Sequence, residues 1–188
     1  MKRRIFGKFL LILLIVSLII PVNAAPDTVI ERKCANTLVK LGLMKGYEDG
    51  SLRLENNIRR SEFITLILNV ACLDEINDID NIVMGFLDLS KDHWAYDYIK
   101  TAWHYGIVAG YPDNTFAPDN IVTLPEALLA VIRILGYESE MVGSWPENVL
   151  HKAEELELTK HIDAQGNKAL TRSDVAIIIF NSLTVELR

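Results

Sequence analysis

Residues 106–126, GIVAGYPDNTFAPDNIVTLPE, decide the fold, because the same pattern stands 64 residues earlier at residues 42–62, GLMKGYEDGSLRLENNIRRSE. Six of the 21 aligned positions are identical, and most of the others keep their apolar or polar character. The identical pairs are Gly42 with Gly106, Gly46 with Gly110, Tyr47 with Tyr111, Asp49 with Asp113, Asn56 with Asn120 and Glu62 with Glu126. Self-similarity of this kind predicts a repeat protein, in which small units pack on one another.

A third copy of the pattern follows at a different spacing. Residues 144–158 align with residues 93–107 at a shift of 51, which pairs Trp145 with Trp94. We therefore divide the chain into copies at 27–71, 86–137 and 144–187, with a linker at 72–85. Copy one lacks the beginning of the pattern, and copy three has an eroded loop around residues 163–167.

Each copy is predicted to be a helix, a glycine-containing loop and a second helix. In copy two, Asp92 is a candidate N-cap of the first helix, and Gly106 stops that helix. Thr123 and Glu126, three residues apart, have the spacing of a capping box at the start of the second helix. The predicted fold class is therefore all-α.

The second helices of the other copies show related patterns. Thr171 and Asp174 repeat the capping box in copy three, whereas Arg59 replaces the threonine in copy one and predicts a weaker start there. The three second helices also carry apolar stripes at helical spacing, which predict core faces that pack together. The stripes are Phe63, Ile64, Ile67 and Leu68; Leu128, Val131, Ile132 and Leu135; and Val175, Ile178, Ile179 and Leu183.

The first 24 residues differ in composition from the rest of the chain. Four basic residues precede an almost unbroken apolar run at residues 9–20, and Ala24 ends a short segment of small side chains. This layout is typical of a secretory signal peptide cleaved after Ala24. The alternative is an uncleaved anchor, but the run is shorter than the about 20 apolar residues that span a bilayer. We expect no stable membrane insertion after cleavage.

The charge of the chain excludes one class of partner. The full sequence of 188 residues has a net charge of −6, and cleavage after Ala24 would leave 164 residues with a charge of −10. Nucleic acid is therefore an improbable partner, because binding to phosphate depends on clustered Lys and Arg. Surface polymers or other envelope proteins are the expected partners of an exported acidic protein.

The two cysteines and four histidines do not predict a metal site, a cofactor or an enzyme. Cys34 and Cys72 lack zinc-ligand spacing, and each lies in an apolar helical pattern, which favours thiols over the disulfide that export would permit. The histidines form no HExxH motif, and GxSxG is absent from the sequence. Residues 113–119 lack the glycine and terminal glutamate of a calcium-binding EF-hand loop.

The copies resemble the S-layer homology (SLH) repeat. In copy two the resemblance rests on FLDL at 86–89, HWAY at 93–96, GIVAGYPDNTFAPDN at 106–120 and VTLPEA at 122–127. Copy one keeps GYEDG at 46–50 and IRRSE at 58–62, and copy three keeps Trp145 and LTRSD at 170–174. Three such repeats imply a mostly helical, pseudo-threefold spindle. They also imply non-covalent attachment of a secreted protein, at the bacterial cell wall or S-layer, to an acidic, often pyruvylated secondary cell-wall polysaccharide.

The resemblance also implies where the polysaccharide binds, namely in grooves between repeats at the arginine of the Thr-Arg-Ala-Glu motif. That arginine falls on Arg60 in copy one and Arg172 in copy three, but on Leu124 in copy two. A guanidinium holds a carboxylate with two parallel hydrogen bonds, and leucine makes none, so the groove served by copy two is expected to be weak or silent. Arg59 is a second candidate for the same anion.

Six further residues complete the candidate polysaccharide-binding set. Trp94 and Trp145 are expected either to stack on a sugar or to plug the start of each first helix. The other four are expected to shape turns through positive φ and side-chain bonds, with loop amides near the ligand. These four are Gly46, Gly110, Asp49 and Asp113. The lost arginine at Leu124 and the eroded third loop support an alternative function, an envelope scaffold for protein interactions that has lost polysaccharide binding.

Overall fold

The structure, a computed structural model, describes residues 27–73 and 82–188. These residues form six α-helices, two in each copy, with no strand or sheet among them, and the all-α prediction is confirmed. The helices are α1 (Asp27–Lys40), α2 (Arg60–Val70), α3 (Tyr96–His104), α4 (Leu124–Leu135), α5 (Glu147–Glu155) and α6 (Arg172–Ser182). The predicted signal peptide and most of the predicted linker lie outside the described residues.

The predicted capping boxes are present at the starts of α4 and α6. The backbone N–H of Thr123 donates to Glu126 Oε2 at 2.9 Å, and that of Thr171 donates to Asp174 Oδ2 at the same distance. In copy three the Thr171 hydroxyl also accepts from the backbone N–H of Asp174 at 3.2 Å. Both helices thus begin where their own sequence satisfies backbone donors that would otherwise lack partners.

The start of α2 keeps only one of the two reciprocal hydrogen bonds of a capping box. The backbone N–H of Arg59 donates to Glu62 Oε2 at 2.9 Å, as at the other two helices. The guanidinium of Arg59 cannot return the bond, because it has no acceptor atom. The glutamate alone therefore provides the side-chain cap of α2 in copy one.

The start of α3 corrects the prediction for Asp92. The helix begins at Tyr96, after Ala95, and residues 91–95 form a turn instead. The N–H of Ala95 donates to His93 Nδ1 at 3.1 Å, so an imidazole rather than the Asp92 carboxylate accepts a bond at this helix start. Gly106 follows the other end of α3 with φ of 67°, as expected of a residue that stops a helix.

A closed ring of backbone hydrogen bonds joins the three copies just before their second helices. The N–H of Ile58 donates to the carbonyl of Leu170, that of Leu170 to Val122, and that of Val122 to Ile58, each at 3.0 Å. All three side chains are buried in the core. Each copy therefore donates to one neighbour and accepts from the other. The ring does not establish the symmetry of the whole fold, so the pseudo-threefold spindle stays a prediction.

The helices of the described residues pair between copies. Helix α3 packs on α2 of copy one, α5 packs on α4 of copy two, and α1 packs on α6 of copy three. Helix α6 also contacts α2 and α4, which brings the apolar stripes of the second helices into one core. The contact between α1 and α6, the first and last described helices, thus joins copy one to copy three. All twelve residues of the predicted stripes are buried, which confirms them as core faces.

Cys34 and Cys72 are thiols. Cys34 is buried against the core, and burial raises the pKa of its thiol to about 11. Cys72 is half-buried, and its Sγ lies 3.9 Å from the carbonyl oxygen of Val70. Among residues 27–73 and 82–188, no helix has the length and apolarity required to cross a membrane.

Candidate functional site

A cleft of about 410 Å³ lies where the three copies meet around Arg172. Copy three contributes Arg172, and copy two contributes Trp94 and Tyr98. Copy one contributes one face of α2 and the loop that precedes it. We call this site the Arg172 cleft, and its lining includes Lys45, Gly46, Tyr47, Glu62, Asn69, Trp94 and Arg172.

A second cleft, of about 230 Å³, repeats this arrangement one copy further along. Copy one contributes Arg60, copy three contributes Trp145, and copy two contributes the loop and one face of α4. We call this site the Arg60 cleft, and its lining includes Ala109, Gly110, Tyr111, Glu126, Arg133, Trp145 and Arg60. The loop and helix residues that copy one contributes to the Arg172 cleft align, at the repeat spacing of 64, with those that copy two contributes to the Arg60 cleft.

The backbone fixes both arginines at the first position of a helix. The N–H of Arg60 donates to the carbonyl of Asn120, and the N–H of Arg172 to that of Asn56, each at 2.9 Å. Ile58 and Leu170, two positions before the arginines, belong to the hydrogen-bond ring. Each arginine therefore lies beside the ring and extends into the loop of another copy. Both residues are largely buried, with 7% and 8% of their surface exposed.

Each guanidinium is held by a loop carbonyl and a tyrosine ring. Arg60 Nε donates to the carbonyl of Phe116 at 3.0 Å, and Arg172 Nε donates to that of Leu52 at 2.9 Å. The guanidinium carbon lies 4.9 Å from the ring centroid of Tyr111 in the first case. It lies 5.0 Å from that of Tyr47 in the second. Cation–π attraction favours both contacts.

The last contact of the guanidinium differs between the clefts. Arg60 forms an ion pair with Glu126 at 3.0 Å, and the Tyr111 hydroxyl donates to the same carboxylate oxygen at 2.5 Å. Arg172 instead donates to the backbone carbonyl of Lys45 at 3.1 Å. One arginine is therefore neutralised by a carboxylate, whereas the partners of the other among the described residues are neutral carbonyls.

The environment of Glu126 shifts two pKa values in the Arg60 cleft. Burial raises the pKa of Glu126, but the Arg60 charge, the Tyr111 hydroxyl and the Thr123 N–H offset burial, and the pKa falls below its ordinary value. Burial, and then the hydrogen bond to Glu126, raises the pKa of Tyr111 to about 12. Glu126 is thus a stable anion and Tyr111 a stable donor at neutral pH.

Trp94 and Trp145 lie at the edges of the two clefts. Their exposed fractions are 58% and 50%, which does not fit a buried plug at the start of a helix. Trp94 also stacks on His93, with ring centroids 5.8 Å apart. Each indole leaves a large apolar surface open beside a buried arginine, an arrangement in which a sugar face can stack.

Gly46 and Gly110 line the clefts, but their predicted positive φ is wrong, since neither residue adopts it. These positions require the absence of a side chain instead. A Cβ on Gly110 would lie 2.2 Å from Cε1 of Phe86, and one on Gly46 would lie 3.0 Å from the carbonyl oxygen of Ser51. Close packing of the loop, rather than its dihedral angles, therefore favours glycine here.

Asp49 and Asp113 are not among the lining residues of either cleft. Their side chains accept from the backbone N–H of Ser51 at 2.9 Å and of Thr115 at 3.0 Å, as expected of turn residues. Hydrogen bonds from the Ser51 and Thr115 hydroxyls, and then these backbone bonds, lower both pKa values, that of Asp49 to about 2. The aspartates shape the loops that carry the cleft residues.

Arg59 also lies outside the lining of the two clefts. It forms an ion pair with Asp119 at 2.6 Å, and both side chains are more than half exposed. The structure thus separates the two neighbouring arginines, because Arg60 enters a cleft and Arg59 stays on the surface between copies one and two.

The third junction between copies, around Leu124, lacks the features of the two clefts. Leu124 is buried at the position that an arginine occupies elsewhere, and Ile162 stands in the place of the loop tyrosine. Asp174, the counterpart of Glu126, forms an ion pair with Lys168 at 2.9 Å. The expectation that the groove served by copy two is weak or silent stays a prediction.

The sequence prediction missed several cleft residues, among them two tyrosines and two basic residues. Tyr47 and Tyr111 are an identical pair in the alignment of the first two copies, as Gly46 and Gly110 are. Identity between the copies could therefore have predicted the tyrosines as well. Lys45 and Arg133 differ from their aligned counterparts, Ala109 and Asn69, and only the structure places them in the clefts. Among the described residues, no group of three or more His, Cys, Asp or Glu side chains is arranged to hold a metal ion.

Residues 35–64 and 85–128 match the model of the S-layer homology domain family. The chain carries SLH domain sequence. The matched segments contain Arg60, Tyr111 and Glu126, three residues that line the Arg60 cleft. The third copy, at 144–187, lies outside the matched SLH segments, and the predicted number of three tandem SLH repeats stays a prediction.

Several proteins named as cell-wall, surface-layer or anchoring proteins are similar to this chain. The middle cell wall protein of Brevibacillus brevis is 34% identical over 155 residues, which is 82% of this chain and 15% of that protein. The surface layer protein of Brevibacillus choshinensis is 32% identical over 155 residues, 82% of this chain and 14% of that protein. The cellulosome-anchoring protein of Acetivibrio thermocellus is 35% identical over 92 residues, 49% and 21% of the two chains. This chain therefore spans about one seventh of the length of the two Brevibacillus proteins.

Proposed function

We propose that this chain is a non-catalytic module that attaches an exported protein to an acidic polysaccharide of the bacterial cell wall. The observation that carries the proposal is the repeated cleft, in which side chains of three copies surround a buried arginine beside a half-exposed tryptophan. A guanidinium suits a carboxylate, and an indole ring suits the face of a sugar. A sugar that carries a pyruvate ketal offers both groups, so pyruvylated polysaccharide is the proposed ligand.

The relatives support this function and a cell-surface location. Their names describe a middle cell wall protein, a surface layer protein and a cellulosome-anchoring protein. The signal-like sequence at residues 1–24 agrees with export. The chain itself is acidic, so an acidic polymer would be repelled at long range and must be held by local cations. The buried arginines supply that local charge.

A retention assay on purified wall polymer tests the proposal. We expect the wild-type protein to bind native polymer and to lose most of its binding when the pyruvate is removed chemically. The double variant Arg60→Ala, Arg172→Ala should be retained at least about tenfold less, because each substitution removes a charge-assisted hydrogen-bond donor. Equal retention of the wild type and of this double variant would contradict the mechanism.

Two controls separate binding from folding and from net charge. The double variant Arg32→Ala, Lys33→Ala removes the same charge from an exposed face of α1 and should bind like the wild type. The double variant Arg60→Lys, Arg172→Lys keeps the charge but loses the planar fork, and should bind weakly while keeping the circular dichroism spectrum of the wild type. If the alanine variant loses the helical circular dichroism signal, the binding of the lysine variant becomes the test of the mechanism.

The third junction supports a second candidate function, an envelope scaffold that binds proteins and no longer binds polysaccharide. The observation that favours this alternative is that Leu124 is buried at the position where the two clefts have an arginine. Under this alternative, native and depyruvylated polymer would retain the protein equally poorly, and a protein partner would bind the wild type and the double arginine variant alike.

A further inference from the structure

Within the described part of the chain, the cations of the Arg172 cleft have no carboxylate partner. Arg172 and Lys45 both line this cleft, and among the described residues no carboxylate lies within ion-pair distance of either side chain. Glu62, which also lines the cleft, uses its Oε2 to accept the backbone N–H of Arg59 at 2.9 Å. A buried guanidinium with only neutral partners retains a strong tendency to bind an anion.

The cations of the Arg60 cleft are both neutralised by the protein. Arg60 pairs with Glu126 at 3.0 Å, and Arg133 pairs with Glu138 at 2.8 Å. Glu126 is held in place by two further donors, the Thr123 N–H at 2.9 Å and the Tyr111 hydroxyl at 2.5 Å. A ligand carboxylate would therefore compete with an anion that is already present and already oriented.

We infer that the two clefts divide the binding of the polymer, with the Arg172 cleft taking the acidic substituent and the Arg60 cleft favouring a neutral sugar. This inference rests on the proposed function and specifies which cleft recognises the acid. Its physical reason is competition, because Glu126 occupies the Arg60 guanidinium while the corresponding Glu62 does not occupy Arg172. The backbone frames are equivalent, so the difference lies in the charged side chains.

The three tryptophans of the chain allow each cleft to be observed separately. Trp94 lines the Arg172 cleft and Trp145 lines the Arg60 cleft, whereas Trp103 packs edge-on against Phe86 and is not a lining residue of either cleft. The indole N–H signals of 15N-labelled protein can be followed during titration with a monosaccharide that carries a pyruvate ketal. The methyl ester of the same compound serves as the neutral probe, and Trp103 serves as the internal reference.

We expect the acid to shift the Trp94 signal at a concentration on the order of tenfold below that for Trp145, the scale of one charge-assisted hydrogen bond. The methyl ester should remove this preference. Glu126→Gln should lower the midpoint for Trp145 toward that for Trp94, because the amide keeps a capping acceptor but carries no charge. Glu62→Gln, the matched substitution, should change the midpoint for Trp94 by a smaller factor.

Three outcomes would overturn the inference. The first is equal midpoints for Trp94 and Trp145 in the wild-type protein, and the second is a Trp145 midpoint that Glu126→Gln leaves unchanged. The third is retention of the protein on native polymer with no shift of either indole signal, which would leave the proposed function standing. If the indoles stay unshifted and native polymer does not retain the protein either, the proposed function fails together with the inference.

Discussion

The Arg60 cleft and the Arg172 cleft have the same backbone frame and different charges. In both, a helix begins at the arginine, its Nε donates to a loop carbonyl, and a tyrosine ring lies about 5 Å from the guanidinium. Of the two arginines, Arg60 alone has a carboxylate partner among residues 27–73 and 82–188. The comparison teaches that backbone contacts preserve the geometry of a repeated site while single side chains change what the site can bind.

The third junction extends this comparison. Its backbone takes part in the same hydrogen-bond ring, through Val122 and Leu170, although Leu124 and Ile162 have replaced the arginine and the tyrosine. The frame therefore persists where the charged groups are gone. Stability should then depend on the ring and its buried side chains, and binding should depend on the few residues that differ.

The largest expected effect tests whether the two frames are energetically equivalent. Ile58 and Leu170 each lie two residues before a cleft arginine, and both are buried. Ile58→Ala and Leu170→Ala should each lower the free energy of unfolding by about 2–5 kcal/mol, through lost burial and a residual cavity. Urea denaturation measures the change, and Leu87→Ala, at a 79% exposed position, is the control. Losses that differ strongly between the two variants would break the equivalence.

An intermediate effect should distinguish the two loops. A Cβ on Gly110 would meet the Phe86 ring at 2.2 Å, whereas one on Gly46 would lie 3.0 Å from Ser51. We expect Gly110→Ala to reduce the free energy of unfolding by about 1–3 kcal/mol through overpacking, and Gly46→Ala to reduce it less. Thermal melts of the two variants check the order. The reverse order would show that Phe86 moves aside more easily than the backbone of the Gly46 loop.

The smallest expected effect concerns the charge that distinguishes the clefts. The pKa of Glu126 is lowered in the folded protein, so its ionisation contributes stability above the ordinary value of 4.5. This contribution is lost as pH falls through the lower pKa of the folded state. Glu126→Gln should therefore cost on the order of 1 kcal/mol at pH 7, reduced by solvent screening, and progressively less toward acid pH.

Denaturation of Glu126→Gln and Glu62→Gln across this pH range makes the measurement. Glu62 is the matched control, because it caps α2 as Glu126 caps α4 but forms no ion pair with an arginine of the described residues. A stability loss for Glu126→Gln that does not change with pH would mean that the ion pair with Arg60 contributes nothing measurable. Such a result would also weaken the inferred difference between the clefts.

Local features of the fold were predictable from the sequence, and long-range features were not. The capping boxes join residues three positions apart, so their spacing predicts Thr123 with Glu126 and Thr171 with Asp174. The prediction for Asp92 was wrong because residues 91–95 form a turn and the helix begins only at Tyr96, after Ala95. The positive φ assigned to Gly46 and Gly110 was wrong because a glycine is also favoured where another group lies too close for a Cβ.

The candidate site was predictable only in part, for the same reason. The resemblance to the SLH pattern gave Arg60, Arg172 and the two tryptophans, and the structure brings one arginine and one tryptophan into each cleft. It could not say that Arg59 would pair with Asp119, 60 residues away, or that Arg60 would meet Glu126. These contacts depend on how copy one packs against copy two.

By itself, the sequence determined the repeats, the helices, the apolar faces and which copies keep an arginine, because each of these is written in residues close together along the chain. Only the tertiary structure decided that α1 packs on α6, that the copies are joined by a closed ring, and that each arginine enters the loop of another copy. The bonds from Arg172 to Leu52 and Lys45 span 120 and 127 residues. No local pattern encodes such a separation, since it is fixed by the packing of the whole core.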